Sequence, residues 1–223
     1  MDNLSENINE TIKYINELED FFDGKLGEVQ KKAYADNIPA IPKETAKFLS
    51  VILSIKRPKN VLEIGTATGF SASLISRYLA EDGRITTIDR YDIMLNSAKK
   101  TFGFMGIEDK VTVLEGDAAE ILPTLTGKYD FIFLDAAKGQ YIYFLPYIEK
   151  LLDVGGILIA DDIFQGGNIS QSRYEIPRRQ RTIHSRMRAF LWEICHSDVF
   201  ETALIPIGDG IAFCHKIKEA KEE

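Results

Sequence analysis

Lys59-Asn60-Val61-Leu62-Glu63-Ile64-Gly65-Thr66-Ala67-Thr68-Gly69-Phe70-Ser71 is the stretch whose reading decides the fold. Val61 to Ile64 reads as a short buried strand and Gly65 to Gly69 as a tight turn of small residues. Ser71 to Ala80 then has helical spacing, with Leu74, Ile75, Tyr78 and Leu79 on one side. A strand, a glycine turn and a helix start form the ligand-binding corner of a doubly wound sheet, because glycine lets a ligand approach the backbone. With only two glycines, the turn is neither G-x-G-x-x-G nor a lysine-bearing phosphate loop.

Two companions raise the value of this corner over a plain strand-turn-helix. Glu63 is a carboxylate inside an otherwise apolar strand, where an unpaired charge is expensive. Asp89 ends the next strand, Arg84 to Asp89, where an acid commonly holds ribose hydroxyls. With no phosphate-cradling signature, a nucleoside lacking pyrophosphate fits best, and S-adenosylmethionine is such a ligand.

From Asn60 onward, strands at 60–64, 84–89, 111–115, 129–134 and 155–161 alternate with helices near 70–80, 91–104, 117–124 and 138–152. That alternation predicts a parallel sheet covered on both faces with right-handed crossovers. A further helix is expected over about 178–195. Two last strands, near 198–206 and 209–217, flank Gly208-Asp209-Gly210 and predict an antiparallel hairpin at one sheet edge. The expected fold class is α/β, Rossmann-like, with a seven-stranded, mostly parallel sheet. Ahead of it, residues 1–58 read as helices over 3–22, 26–36 and 43–55 packed on the domain 59–223. Pro39 and Pro42 keep the connector 38–42 extended.

Two strand ends carry more acid than packing requires: Leu134-Asp135-Ala136-Ala137-Lys138 and Ala160-Asp161-Asp162. Both reach the carboxyl edge of the sheet, where ligands bind. Three carboxylates there repel one another unless a cation lies between them, and oxygen donors suit a hard ion such as Mg²⁺. Taken singly, Asp135 could be a helix N-cap and Asp161-Asp162 a solvated loop start. Lys138 could be a surface lysine. A cation at a helix N-terminus is disfavoured by the macrodipole, however, so it reads as a general base or a charge that steadies an oxyanion.

The chain has 223 residues, enough for one sizeable core, and a net charge of −7. It has no membrane-length apolar run, and its polar start is unlike a signal peptide. Cys195 and Cys214 are isolated and read as core thiols of a cytoplasmic protein. The mean charge hides an asymmetry, since residues 173–188 hold six arginines and one acid, a local +5.

The motifs Glu63 to Ser71, Asp89, Gly116-Asp117-Ala118, Leu134 to Lys138 and Asp161-Asp162 together resemble the metal-dependent class I O-methyltransferases related to catechol and caffeoyl-CoA methyltransferases. The resemblance runs from about Ile38 to His215. It implies S-adenosylmethionine as methyl donor, with Glu63, Gly65 and Ser71 on its methionine side, Asp89 on the ribose, Asp117 and Ala118 flanking the adenine, and Asp135 also against the cofactor. It implies Mg²⁺ on Asp135, Asp161 and Asp162, with Lys138 and Asp135 as the catalytic residues. Relatives usually have Asp-Asn where this chain has Asp161-Asp162. Asp135-Ala136-Ala137-Lys138-Gly139-Gln140-Tyr141 together with the basic segment 172–182 resembles the bacterial branch that methylates 5-hydroxyuridine at the tRNA wobble position. That implies RNA contacts by Arg173, Arg178, Arg179 and Arg181, a tRNA anticodon partner and a homodimer. The alternatives are a small-molecule O-methyltransferase acting on catechols or hydroxycinnamoyl thioesters, or a non-catalytic RNA-binding protein.

Overall fold

A computed structural model describes residues 2–18, 20–35 and 40–220. The elements run α1 (Asp2–Leu18), α2 (Gly24–Ala35), α3 (Lys43–Lys56), β1 (Asn60–Ile64), α4 (Phe70–Ser76), β2 (Arg84–Asp89), α5 (Asp92–Met105), β3 (Val111–Glu115), α6 (Ala118–Ile121), β4 (Tyr129–Leu134), α7 (Tyr141–Leu151), β5 (Leu152–Ala160), α8 (Arg181–His196), β6 (Phe200–Ile205) and β7 (Ile211–Lys216). Seven strands form one sheet in the order β3-β2-β1-β4-β5-β7-β6. All pairings are parallel except β5 with β7 and β7 with β6. The order reverses between β1 and β4, which opens the crevice where doubly wound sheets bind ligands.

The sheet forms around β1, β4 and the end of β5, Leu158 to Ala160, which are buried on both faces and read as largely apolar runs. One face carries Leu62, Ile64, Ile132 and Leu134 against α7 and α8. The other carries Val61, Phe131, Phe133 and Ile159 against α2, α3 and α4. The first four strands match the expected bounds, as does the antiparallel hairpin, although its second strand, β7, lies inside and β6 forms the edge.

Several boundaries differ, each for a local reason. The helix after the glycine turn stops at Ser76 instead of reaching residue 80. There Arg77 N donates to Leu74 O and Ala80 N donates to Pro58 O, which turns the chain toward β2. The helix expected over 117–124 splits into α6 and a 3₁₀ turn at Leu122–Thr124, where Pro123 starts the tighter turn. Lys138 opens a 3₁₀ turn, Lys138–Gln140, and α7 begins at Tyr141. β5 begins at Leu152, before its two glycines, and ends at Ala160, which leaves Asp161 beyond the strand. Within the 38–42 connector, Ile38 and Pro39 lie outside the described residues. Cys214 is a core thiol whose burial pushes it up to about 12. Cys195 is not: it is exposed, because Ile194 beside it takes the inward position on α8. Among the described residues no helix is long and apolar enough to cross a membrane.

Candidate active site

The carboxyl ends of β1, β2 and β4 meet around Gly65. Its N–H donates to Ile88 O (2.9 Å), and Asp135 N donates to Ile64 O (2.9 Å). At φ +108° a Cβ on Gly65 would lie 1.9 Å from Asp135 O. The glycine is therefore what lets the strand end bearing Asp135 close onto the loop.

Glu63 is fully buried, and the parallel register places it beside Thr87. The Thr87 hydroxyl donates to Glu63 Oε2, and Thr87 in turn meets Thr66 Oγ1 at 2.6 Å. Burial raises the Glu63 carboxyl to about 7, against lowering by Ser71 and Thr87; the charges of Asp135 and Asp89 raise it further. Ser71 lies near without meeting hydrogen-bond geometry, so Glu63 Oε1 has no partner. An orphaned buried carboxylate oxygen at the foot of a glycine loop suits a ligand's cationic group, because an unsatisfied acceptor costs its full desolvation.

A cavity of about 320 Å³ opens beside this loop, lined among others by Gly65, Asp89, Tyr91, Asp117, Asp135 and Phe144. Asp89 accepts from Ala67 N (2.9 Å), Arg90 N (2.7 Å) and Tyr91 N (3.0 Å). Two carboxylate oxygens offer about four acceptor sites and three are taken, so one remains, on Oδ2, for a ligand hydroxyl. Asp117 and Ala118 border the far end of the cavity. Asp117 is already engaged there: Oδ1 caps α6 through Ala119 N (2.9 Å) and Oδ2 takes Arg90 Nη1 (2.9 Å). Ser71 lines a smaller pocket with Gly65, Thr68 and Asp135. A roomier cavity between α2 and α5, near Lys32, Lys100 and Phe104, touches the loop only at Thr68 and holds none of the strand-end acids.

The three acids of the second cluster do converge. Burial lifts Asp135 to about 6, with Lys138 pulling it down and Asp162 pushing it up. Burial, then Asp135 and Asp162, lifts Asp161 to about 8. Lys138 Nζ pairs with Asp162 and lies 4.0 Å from Asp135. Burial opposes the Lys138 charge, but the Asp162 hydrogen bond and the three acids outweigh it and raise its pKa. Asp162 has φ +57°, a left-handed conformation that Asp and Asn tolerate best.

The donor set fits a hard divalent cation chemically, since its carboxyls are raised by mutual repulsion and burial, the condition a cation relieves. As the side chains stand, no group of three His, Cys, Asp or Glu among the described residues encloses an ion, and the Lys138 ammonium lies against two of the acids.

Two residues that sequence reading left out hold this cluster. The Tyr141 hydroxyl shares its proton between Leu134 O (3.2 Å) and Asp161 O (3.1 Å) and accepts from Ala136 N (3.3 Å), which ties the ends of β4 and β5 together. Asp209, in the β6–β7 turn, accepts Gly166 N through both oxygens (2.7 and 2.9 Å) and anchors the loop after Asp162. Asp209 had a sequence signal, an acid between two turn glycines; Tyr141 had none beyond its place after Gly139-Gln140.

These acids carry a pH signature. For Glu63, Asp135 and Asp161 the folded pKa lies above the ordinary value, so the folded state binds more protons than the unfolded between about pH 4 and 8. Their contribution to stability is full below about pH 4 and is lost as pH rises through about 6, 7 and 8. In EDTA, the melting temperature is expected to fall from pH 5.5 to 8.5, and excess Mg²⁺ to restore more of it at pH 8.5. A flat profile by scanning calorimetry, unchanged by Mg²⁺, would contradict this electrostatic picture.

The basic segment splits in two. Arg173, Arg178 and Arg179 are exposed. Arg181, Arg186 and Arg188 donate to the main-chain carbonyls of Ile176 and Tyr174, of Gly139, and of Ile169. None of the six has a carboxylate partner within ion-pair distance among the described residues. A Cβ on Gly139, the residue after Lys138, would lie 3.5 Å from Ile183 Cγ1, so the start of α8 borders the acid cluster.

Comparison with known proteins follows the same lines. A family model described as O-methyltransferase matches residues 15–217. The chain is 32% identical over 222 residues to tapetum-specific methyltransferase 1 of Arabidopsis thaliana, covering 96% of this chain and 93% of that one. It is 30% identical over 226 residues to caffeoyl-CoA O-methyltransferase of Populus kitakamiensis, with the same coverage. A crystal structure from Staphylococcus aureus, assigned as a caffeoyl-CoA O-methyltransferase, superposes with a TM-score of 0.83 at 27% identity over 92% of this chain and 98% of that one.

Proposed function

We propose the following reaction for this chain, which belongs to the O-methyltransferase family: transfer of a methyl group from S-adenosylmethionine to the 5-oxygen of 5-hydroxyuridine at the tRNA wobble position, giving 5-methoxyuridine. The chain is an S-adenosylmethionine-dependent O-methyltransferase of caffeoyl-CoA type. The finer statement, the tRNA acceptor, rests on one observation: residues 173–188 of a chain of net charge −7 carry six arginines without carboxylate partners among the described residues, and one of them, Arg186, reaches Gly139 beside Lys138. Phosphates are the ligand such a surface suits.

The cavity supports the donor. The orphaned Glu63 oxygen suits the methionine ammonium, the free acceptor site of Asp89 a ribose hydroxyl, and the space beside Asp117 and Ala118 the adenine. Bound S-adenosylmethionine supplies a sulfonium methyl; as it passes to the acceptor oxygen the thioether is left and the acceptor hydroxyl's proton goes to solvent water. Mg²⁺ on Asp135, Asp161 and Asp162 would supply a Lewis acid that lowers the acceptor's pKa. Lys138, held as an ammonium, would stabilise the acceptor oxygen as its negative charge develops. Gly65 and Asp135 hold donor and acceptor side by side, where proximity supplies much of the acceleration. In this mechanism an unpaired base enters the crevice while neighbouring phosphates meet the arginines, as single-stranded RNA allows.

A second reading, a small phenolic acceptor with vicinal oxygens, is favoured by the relatives named for caffeoyl-CoA. The acid cluster serves either acceptor, so the arginines discriminate. Replacing Arg178, Arg179 and Arg181 together with alanine is expected to abolish tRNA methylation and to spare turnover of a catechol. Loss of three phosphate contacts corresponds to roughly two to three units less slope of log K against log salt. Undiminished tRNA methylation in the triple variant would remove the RNA reading and leave the phenolic one.

A further inference from the structure

We infer that two tyrosine–arginine pairs whose arginines lie on α8, Tyr174–Arg181 and Tyr143–Arg186, are stacking platforms for unpaired bases near the target nucleotide. This rests on the tRNA reading and adds to it the residues that grip the neighbouring bases. Tyr174 is 83% exposed and Tyr143 51%. The Arg181 guanidinium stands 5.9 Å from the Tyr174 ring centre and that of Arg186 5.0 Å from Tyr143, within cation–π range. Each guanidinium is also fixed by the main chain, Arg181 through Ile176 O and Tyr174 O (3.4 and 3.3 Å), Arg186 through Gly139 O (3.3 Å).

The arginines thus hold the rings in place from behind while the rings stay open to solvent. An aromatic ring this exposed contributes little to the core, and a tyrosine backed by a guanidinium without a carboxylate partner offers a base both a π-face and a nearby positive charge. The placement suits the target. Gly139 follows Lys138, and its nearest outside neighbours are Ile183 and Arg186. Charge complementarity selects nucleic acid over an acidic peptide, since alternation of aromatic and basic side chains suits a chain of bases and phosphates.

The test is binding of an anticodon stem–loop RNA, followed by fluorescence anisotropy at one fixed salt concentration. Tyr174→Ala and Tyr143→Ala are expected to weaken binding about 5- to 100-fold each, while Tyr174→Phe and Tyr143→Phe stay within about twofold. Circular dichroism melts of all four variants identify any that fail to fold. An abasic site replacing one flanking nucleotide should weaken wild-type binding by the same factor, and combining it with the matching alanine should add nothing. Alanine variants that bind like wild type, or losses that add in full to the abasic loss, would overturn the platforms and leave the tRNA reading standing. Wild-type protein that does not bind the stem–loop but methylates a catechol would overturn the tRNA reading, and the platforms with it.

Discussion

Gly65→Ala is expected to abolish methyl transfer and to lower the melting temperature by roughly 6–12 °C, the equivalent of about 3 kcal/mol. The position combines two penalties. At φ +108° an L side chain is strained, and its Cβ would meet the backbone oxygen of Asp135 at 1.9 Å, an obstacle with no side-chain freedom to yield. Relief requires the ends of β1 and β4 to part, which carries Asp135 away from Glu63 and opens the bond from Asp135 N to Ile64 O. Gly106 supplies the control. It too has positive φ (+71°), but nothing lies within 4 Å of its Cβ position. Gly106→Ala therefore has strain alone, about 1–2 kcal/mol, and should retain activity. Calorimetry and isothermal titration with S-adenosylmethionine measure both consequences. Wild-type donor affinity in Gly65→Ala would mean the two strand ends do not need to meet for the site to form.

Lys138→Met is expected to lower kcat by about 10²- to 10³-fold, with donor affinity nearly unchanged. The prediction rests on the side chain's position, paired with Asp162 and 4.0 Å from Asp135, rather than on the cavity beside Asp89. Its pairing with Asp162 and its closeness to Asp135 favour the work of a charge over that of a base. Arginine separates the two roles, since it keeps the positive charge and cannot give up its proton in a protein. Lys138→Arg is therefore expected to recover a measurable part of the loss, and the pH–rate profile of Lys138→Met should keep the wild-type limbs. An arginine variant as inactive as methionine, together with loss of a basic limb in kcat, would identify Lys138 as the base instead.

Much of this protein was legible in the residues alone. β1, β2, β3 and β4 have the bounds expected of them; the central strands β1 and β4 are short and apolar and end where Gly65 and Asp135 leave the ladder. The same rule brought Glu63, Asp89, Asp135 and Asp161 to one edge, since parallel strands all end on one side. Contacts between residues far apart in sequence were decided only by the tertiary structure. It gave Lys138 to Asp162, 24 residues on, used Tyr141 to tie two strand ends, and committed both oxygens of Asp117 to α6 and Arg90. It also placed β7 inside β6 and turned Cys195 outward. Periodicity along a chain reports which face of an element is buried, but not which distant side chain meets it there. That pairing is settled only when the core closes and each buried polar group must find a partner or go without.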